Sequence, residues 1–146
     1  MSNSAVEITN LLYRYADKMD SGDLKGAAAL FRHAQIRVHG SKELLDAQGI
    51  LQIWQRHIKI YSCATPRTQH LITNPIIEID EGLGKATVRS YYTVLQATTG
   101  LALQPIATGR YHDEFERIEQ QWCFSYRDYS RLEFTGDLSF HLQGFE

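Results

Sequence analysis

The spacing of hydrophobic residues changes once along the chain, near residue 61. Up to that point apolar residues recur every three or four positions, which is the repeat of amphipathic helices. Beyond residue 66 apolar and polar residues alternate, as they do along half-buried strands. Helices followed by strands predict an α+β domain rather than alternating α/β units.

Three helices are predicted in the first part of the chain. The first runs from about residue 5 to Asp20, and Ser4 with Glu7 has the pattern of a capping box. Asp23 and Asp46 are expected to cap the second and third helices. The buried face of the first helix is predicted to consist of Ile8, Leu11, Leu12, Tyr15 and Met19.

One short strand and three longer β segments are predicted after or between the helices. They are expected at residues 35–39, 67–79, 84–97 and 104–134. The last segment is broken near Glu119 and Gln120 into a hairpin pair. Pro75 cannot donate a ladder hydrogen bond, so we expect a bulge or bend there. A strongly curved antiparallel sheet packed on three helices, with one pocket between them, follows from this pattern.

Length, charge and composition limit the function classes. The chain has 146 residues, 43% of them hydrophobic, which predicts one domain spanning residues 1–146 with a single core. The formal net charge is −2 and the basic residues are scattered, which disfavours nucleic acid and membranes as partners. The sequence contains neither a signal-peptide pattern nor a membrane-spanning apolar stretch. We therefore expect a cytoplasmic protein.

Cofactor motifs are missing from the sequence. The six histidines show no HxxxH or HExxH spacing with a third ligand, which gives a metal site little support. No glycine-rich phosphate loop follows a predicted strand, and no Gly-x-Ser-x-Gly elbow indicates acyl chemistry. Cys63 and Cys123 form no CxxC pair and are expected to be reduced, small apolar residues. We therefore expect no metal and no cofactor.

Three segments resemble the SnoaL-like branch of the nuclear transport factor 2-like superfamily. They are YADKMDSGDLKGAAALF at 15–31, RTQHLITNPIIEID at 67–80 and GRYHDEFERIEQQWCFSYRDY at 109–129. The resemblance covers nearly the whole chain, and the segments occur in the family's order. It implies a cystatin-like cone, in which a curved antiparallel sheet wraps around three N-terminal helices with a pocket at the wide end. It also implies a homodimer or homotrimer.

The outer face of the sheet is the expected site of self-association. Both faces of the predicted strands carry apolar residues, more than one cavity can absorb. The residues that give both strand faces this apolar content include Tyr91, Leu95, Trp122, Phe124 and Tyr126.

His70 and Asp20 are the candidate catalytic pair. The alternation of its strand puts His70 on one face with Thr68, Ile72 and Asn74, and histidine is the natural base near neutral pH. Asp20 lies in the last turn of the first helix, on the flank of its apolar stripe. The scytalone dehydratase, lindane dehydrochlorinase and bile acid dehydratase relatives pair an aspartate and a histidine at the matching places. The alternative is that Asp20 is a capping or surface residue.

Arg127 and Tyr15 are further candidates that the resemblance brings in. Arg127 in WCFSYR matches the W-x-F-x-x-R context of an assisting arginine, and Tyr15 precedes the aspartate by five residues. They would steady developing charge or donate a hydrogen bond to it. Alternatively, Tyr15 belongs to the core, and Arg127 pairs across the sheet with Asp128, Glu114 or Glu116.

The expected pocket is apolar and suits a small hydrophobic ring-containing ligand. Its predicted lining residues are Leu12, Tyr15, Trp54, Ile58, Tyr92, Tyr111 and Phe115. Asn74 either lines this pocket or satisfies backbone groups at the Pro75 bulge. The carboxylate that some dehydratases carry on the strand after His70 is missing here. The inner face of that strand reads Ala86, Val88, Ser90, Tyr92 and Val94.

Three functions follow from these residues. The leading hypothesis is a cofactor-independent, dehydratase-like lyase or isomerase that uses Asp20 and His70 for proton abstraction. The second is a non-catalytic module that binds a small hydrophobic molecule. The third is an assembly subunit resembling the small subunit of ring-hydroxylating dioxygenases, which has no need of such a pair. The sequence does not separate the first from the second.

Overall fold

A computed structural model describes residues 3–144 and contains three helices and six strands in this range. The order is α1 (Ser4–Asp20), α2 (Leu24–Ala29), β1 (Gln35–Arg37), α3 (Ala47–His57), β2 (Thr68–Asp80), β3 (Lys85–Thr98), β4 (Leu101–Ile118), β5 (Gln121–Asp128) and β6 (Leu132–Thr135). The predicted α+β class is confirmed. The predicted domain also includes residues 1, 2, 145 and 146, which lie outside the described residues, and its being one domain stays a prediction.

The strands form one open sheet. Five of them lie in the order β1-β5-β4-β3-β2, and β6 pairs with β4. The pairing is antiparallel except between β1 and β5, which are parallel. Register shifts interrupt the β2–β3, β3–β4 and β4–β5 ladders, and such irregularities bend strands. The predicted curved sheet is thus confirmed, with β1 and β2 as its edges.

The helix starts follow the expected caps with one exception. Asp23 accepts a hydrogen bond from Gly26 N at 2.9 Å, and Asp46 accepts one from Gly49 N at 2.8 Å. The prediction of Ser4 as the first cap is wrong, because Asn3 is the N-cap residue. Its side-chain oxygen accepts a hydrogen bond from the Val6 backbone N–H at 3.3 Å. Within residues 3–144, no helix has the length and apolar character needed to cross a bilayer.

The predicted bulge at Pro75 is present. The β2–β3 register shifts between Thr73 and Ile76, and Asn74 has φ of 53°, a left-handed conformation that asparagine tolerates better than most residues. The shift breaks the alternation along β2. Asn74 is therefore exposed and does not share the inward face with His70, so its assignment to an internal pocket is wrong.

The core lies between the helices and the inner face of the sheet. Trp122 and Phe124 belong to it, with 5% and 0% exposure, and therefore supply none of the apolar surface of the outer face. The reason is a bulge in β5: Phe124 opposes Phe115 and Tyr126 opposes Glu114, which leaves Ser125 as an extra residue. Tyr91, Leu95 and Tyr126 retain exposure, and self-association through the outer face stays a prediction.

Candidate functional site

A glycine turn sets the position of Asp20 at the end of α1. Gly22 has φ of +82°, and the N–H of Asp23 donates to the Lys18 carbonyl at 2.9 Å, as in a Schellman motif. A Cβ on Gly22 would lie 2.1 Å from the Ala64 carbonyl oxygen. The turn therefore needs glycine for its backbone angle and for this close approach, and it holds the Asp20 carboxylate beside β2.

The Asp20 carboxylate accepts three hydrogen bonds from β2. The donors are His70 Nδ1 at 2.5 Å, the His70 backbone N–H at 2.7 Å and the Thr68 hydroxyl at 2.9 Å. As an edge strand, β2 has backbone N–H groups without a strand partner, and Asp20 accepts one of them. The C-terminal end of a helix disfavours negative charge, so these donors are what make a carboxylate tolerable here.

This geometry determines the tautomer of His70. A carboxylate only accepts hydrogen bonds, so the proton of the neutral ring is on Nδ1 and the lone pair is on Nε2. Nε2 has no hydrogen-bond partner among the described residues. The His70 side chain is 6% exposed and that of Asp20 is 20% exposed. Asp20 thus orients the imidazole of His70 and leaves its Nε2 as an unpaired basic nitrogen. Both side chains are largely buried.

Arg127 forms a buried ion pair with Asp113. Its Nε donates to Asp113 Oδ1 at 2.7 Å and its Nη2 to Oδ2 at 2.9 Å, and both side chains have 0% exposure. The expected partners Asp128, Glu114 and Glu116 are wrong, because the β4–β5 register puts Asp113 directly opposite Arg127. Burial by itself lowers the pKa of Arg127, but the adjacent Asp113 carboxylate outweighs it and raises that pKa well above its usual value.

Aromatic rings surround the guanidinium of Arg127. Its Cζ lies 3.8 Å from the ring centroid of Tyr111 and 4.4 Å from that of Tyr15, within the range of cation–π attraction. Its Nη1 donates to the Tyr129 hydroxyl at 3.3 Å. The guanidinium nitrogens bind Asp113 and the guanidinium faces pack against aromatic rings, so Arg127 is held inside the core.

Tyr15 contacts both the Arg127–Asp113 ion pair and the Asp20–His70 pair, which is called the dyad below. Its hydroxyl accepts a hydrogen bond from the Tyr129 hydroxyl at 2.6 Å, and its ring meets the His70 ring edge-to-face with centroids 6.2 Å apart. Burial raises the pKa of Tyr15 well above its ordinary value. The phenol therefore stays protonated and is able to act as a hydrogen-bond donor.

The predicted lining residues of the pocket lie in the core. Leu12, Trp54, Ile58, Tyr92, Tyr111 and Phe115 are at most 9% exposed. Tyr92 stacks on Tyr111 with ring centroids 4.4 Å apart. The cleft that reaches the dyad, of about 360 Å³, instead lies between α1 and β2 and is bordered by Tyr13 and Leu71. None of the six borders that cleft, and their contact with a ligand stays a prediction.

Comparison with known proteins identifies the family. The model of the SnoaL-like domain family matches residues 2–128. The chain belongs to the SnoaL-like domain family. No curated protein matches the sequence of this SnoaL-like chain.

The solved structures that are similar to this SnoaL-like chain include the following three. A variant of Rv3472, of unknown function, from Mycobacterium tuberculosis has 23% identity over 88% of this chain and 70% of its own, with a TM-score of 0.67. A protein of unknown function with a cystatin-like fold from Nostoc punctiforme is 19% identical over 90% of this chain and 92% of its own, with a TM-score of 0.68. A proposed scytalone dehydratase from Novosphingobium aromaticivorans is 20% identical over 91% of this chain and 86% of its own, with a TM-score of 0.69. At such identities the likeness establishes the fold alone, and it confirms the predicted cystatin-like architecture.

Two buried groups of this SnoaL-like domain were missed by the sequence analysis. Asp113 alternates with Tyr111 and Phe115 along β4, and that alternation was the signal for an inward carboxylate. His141 follows the last strand, where no periodic pattern indicates burial, yet it is only 9% exposed. Burial lowers the pKa of His141 to about 4, the charge of His70 adds to this, and Asp20 opposes it. Within residues 3–144, no three His, Cys, Asp or Glu side chains are grouped for a metal.

Proposed function

We propose that this SnoaL-like domain is a cofactor-independent lyase or isomerase acting on a small hydrophobic molecule with a ring. The observation that carries the proposal is the free Nε2 of His70, on a ring whose Nδ1–H is held by Asp20 at 2.5 Å. A neutral imidazole oriented by a carboxylate is able to act as a general base through its other ring nitrogen. An assembly subunit has no need of this arrangement.

The reaction begins with transfer of a proton from a substrate carbon to His70 Nε2. The C–H electron pair stays on the substrate and is delocalised into an adjacent carbonyl. The Asp20 carboxylate stabilises the imidazolium that forms. In a dehydration the proton then passes to the departing hydroxyl, which leaves as water. In an isomerisation it returns to another carbon. In both cases His70 ends neutral, and no external oxidant or reductant is needed.

Tyr15 and Arg127 act at different distances from the substrate in this proposal. The protonated Tyr15 phenol contacts the His70 ring and donates a hydrogen bond to the substrate. Arg127 is enclosed, so it is a positioning residue, which acts through its bond to the Tyr129 hydroxyl. That hydroxyl in turn donates to Tyr15. The cleft beside α1 and β2 gives solvent and substrate access to the dyad.

The relatives support the general class of the reaction. One similar structure is a proposed scytalone dehydratase, and dehydration is one of the two outcomes of the proposed proton transfer. The other is isomerisation, which uses the same first step. A binding module without catalysis would need the pocket but not the oriented base.

Deuterium exchange tests the proton transfer without knowledge of the true substrate. A panel of cyclic ketones and β-hydroxy ketones is incubated with the protein in D2O, and deuterium incorporation and loss of water are followed by mass spectrometry. His70→Ala and Asp20→Asn should each lower the rate by about a hundredfold or more. Arg14→Gln, at an exposed position of the same helix that does not border this cleft, is the control and should leave the rate unchanged.

The binding-module alternative predicts a different pattern. In that case panel members would bind, as seen by calorimetry, without exchange above the rate in buffer. Equal exchange rates in the wild type and in folded His70→Ala would also contradict the proposal, because the base would then be elsewhere. Circular dichroism and melting temperature establish that each variant is folded.

A further inference from the structure

The hydroxyl of Thr68 and the imidazole of His70 bind the same oxygen of Asp20. Thr68 Oγ1 lies 2.9 Å from Asp20 Oδ1, and His70 Nδ1 lies 2.5 Å from that atom. The other carboxylate oxygen, Oδ2, accepts the His70 backbone N–H at 2.7 Å. Because a carboxylate only accepts hydrogen bonds, the Thr68 hydroxyl is the donor. Its bond is charge-assisted and therefore stronger than a bond between two neutral groups.

Thr68 is the one partner of the Asp20 carboxylate, among residues 3–144, that does not belong to His70. Asp20 borders the cleft between α1 and β2, and its side chain is 20% exposed. A carboxylate oxygen has about two acceptor sites, so removing the hydroxyl would open one site on Oδ1 to water from the cleft. The carboxylate would then be held only by the residue that it has to orient.

The start of β2 holds Thr68 in place. Thr68 is 6% exposed and stands opposite Gln96 in the β2–β3 register. The Gln96 side-chain amide donates to the Pro66 carbonyl at 3.1 Å, and the Ala97 N–H donates to the Arg67 carbonyl at 3.3 Å. A β-branched side chain also has few χ1 rotamers. The hydroxyl therefore has a fixed direction toward Asp20.

The proposed reaction requires the His70 ring to keep one direction. Nε2 has to face a single substrate carbon, and a displacement of about 1 Å costs roughly a hundredfold in rate. Asp20 has to stay in place after the transfer as well, because it then stabilises the imidazolium. A support for the carboxylate that is independent of His70 meets both needs.

We propose that Thr68 is a positioning residue of the dyad, whose hydroxyl holds the Asp20 carboxylate and thereby fixes the direction of His70 Nε2. The inference rests on the proposed function and adds a residue to its machinery. Gln69 and Leu71 border the cleft, whereas Thr68 does not. Thr68 therefore acts through Asp20 and without contact to the substrate.

Two substitutions at Thr68 separate the hydroxyl from the shape of the side chain. Thr68→Val keeps the branched shape and removes the donor, whereas Thr68→Ser keeps the donor. In the deuterium-exchange assay, Thr68→Val should lower kcat by about tenfold or more, the scale of one hydrogen bond to a charged group. KM should change little, and Thr68→Ser should restore most of the rate. Thr73→Val, at an exposed position of the same strand, is the matched control and should behave like the wild type.

Nuclear magnetic resonance tests the orientation without any substrate. In protein labelled with ¹⁵N-histidine, the two ring nitrogens of a neutral imidazole have widely separated shifts when one tautomer dominates, and the shifts converge when the tautomers mix. At alkaline pH the His70 shifts, assigned by comparison with His70→Ala, should be widely separated in the wild type, with the proton on Nδ1. They should converge in Thr68→Val and return to the wild-type values in Thr68→Ser.

A purely structural role for Thr68 predicts a different result. Thr68→Val would then lower the melting temperature, while the folded variant would keep the wild-type kcat and nitrogen shifts, and this result would overturn the proposal. Equal losses of rate in Thr68→Val and Thr68→Ser would overturn it too, because the hydroxyl would not be the cause.

These results are distinguishable from failure of the proposed function. If His70→Ala leaves deuterium exchange unchanged, or the wild type exchanges no panel member, the base is wrong, and the nitrogen shifts still decide whether Thr68 holds the dyad. If His70→Ala abolishes exchange while Thr68→Val changes neither the rate nor the shifts, the base stands and the role of Thr68 is wrong.

Discussion

Replacing Asp113 with asparagine should strongly destabilise the fold, because it leaves the buried Arg127 charge without its counter-charge. The two hydrogen bonds of this pair, at 2.7 and 2.9 Å, are each worth about 1.5–3 kcal/mol when a charged group takes part. Breaking a buried ion pair by removing one partner typically costs about 3–5 kcal/mol. The rings of Tyr111 and Tyr15 recover part of this by cation–π attraction. We therefore expect Asp113→Asn to lower the free energy of unfolding by about 3 kcal/mol.

Urea denaturation at pH 7 measures the effect. The double variant Asp113→Leu with Arg127→Met should be more stable than either single variant, since two apolar side chains remove both charges. The control is Glu133→Gln, which breaks the exposed Arg110–Glu133 pair of 2.6 Å and should cause no measurable change. The reasoning would be refuted by an Asp113→Asn cost below about 1 kcal/mol, or by additive losses in the double variant.

Two further predictions concern the borders of the site. His141 has a pKa of about 4 in the fold and an ordinary value of 6.5, so between these pH values only the unfolded chain takes up the proton. Stability should fall from pH 7 to pH 4 by roughly 3 kcal/mol more in the wild type than in His141→Asn; equal pH slopes in urea denaturation would contradict this. Gly22→Ala should lower the free energy of unfolding by about 2 kcal/mol or more because of its φ and the Ala64 carbonyl. Gly82→Ala, where neither constraint applies, should change it little, and similar losses in both would show the Gly22 argument to be wrong.

Local signals in the sequence were enough for the class of fold and for the positions of Asp20 and His70. Helix periodicity placed Asp20 at the end of α1, and strand alternation placed His70 on the inner face of β2. Both depend only on residues a few positions away along the chain. The resemblance to SnoaL-like proteins added how the two elements meet, which periodicity does not contain.

The tertiary structure decided which groups face each other and which are covered. The bulge at Ser125 turned Trp122 and Phe124 inward while keeping Arg127 inside, and the β4–β5 register gave that arginine Asp113 as its partner. Strict alternation does not count an extra residue, so it does not predict that Trp122, Phe124 and Arg127 all point inward. His141 is buried because a distant segment crosses the fold. Contacts between residues far apart in the chain depend on packing and register, which local patterns do not determine.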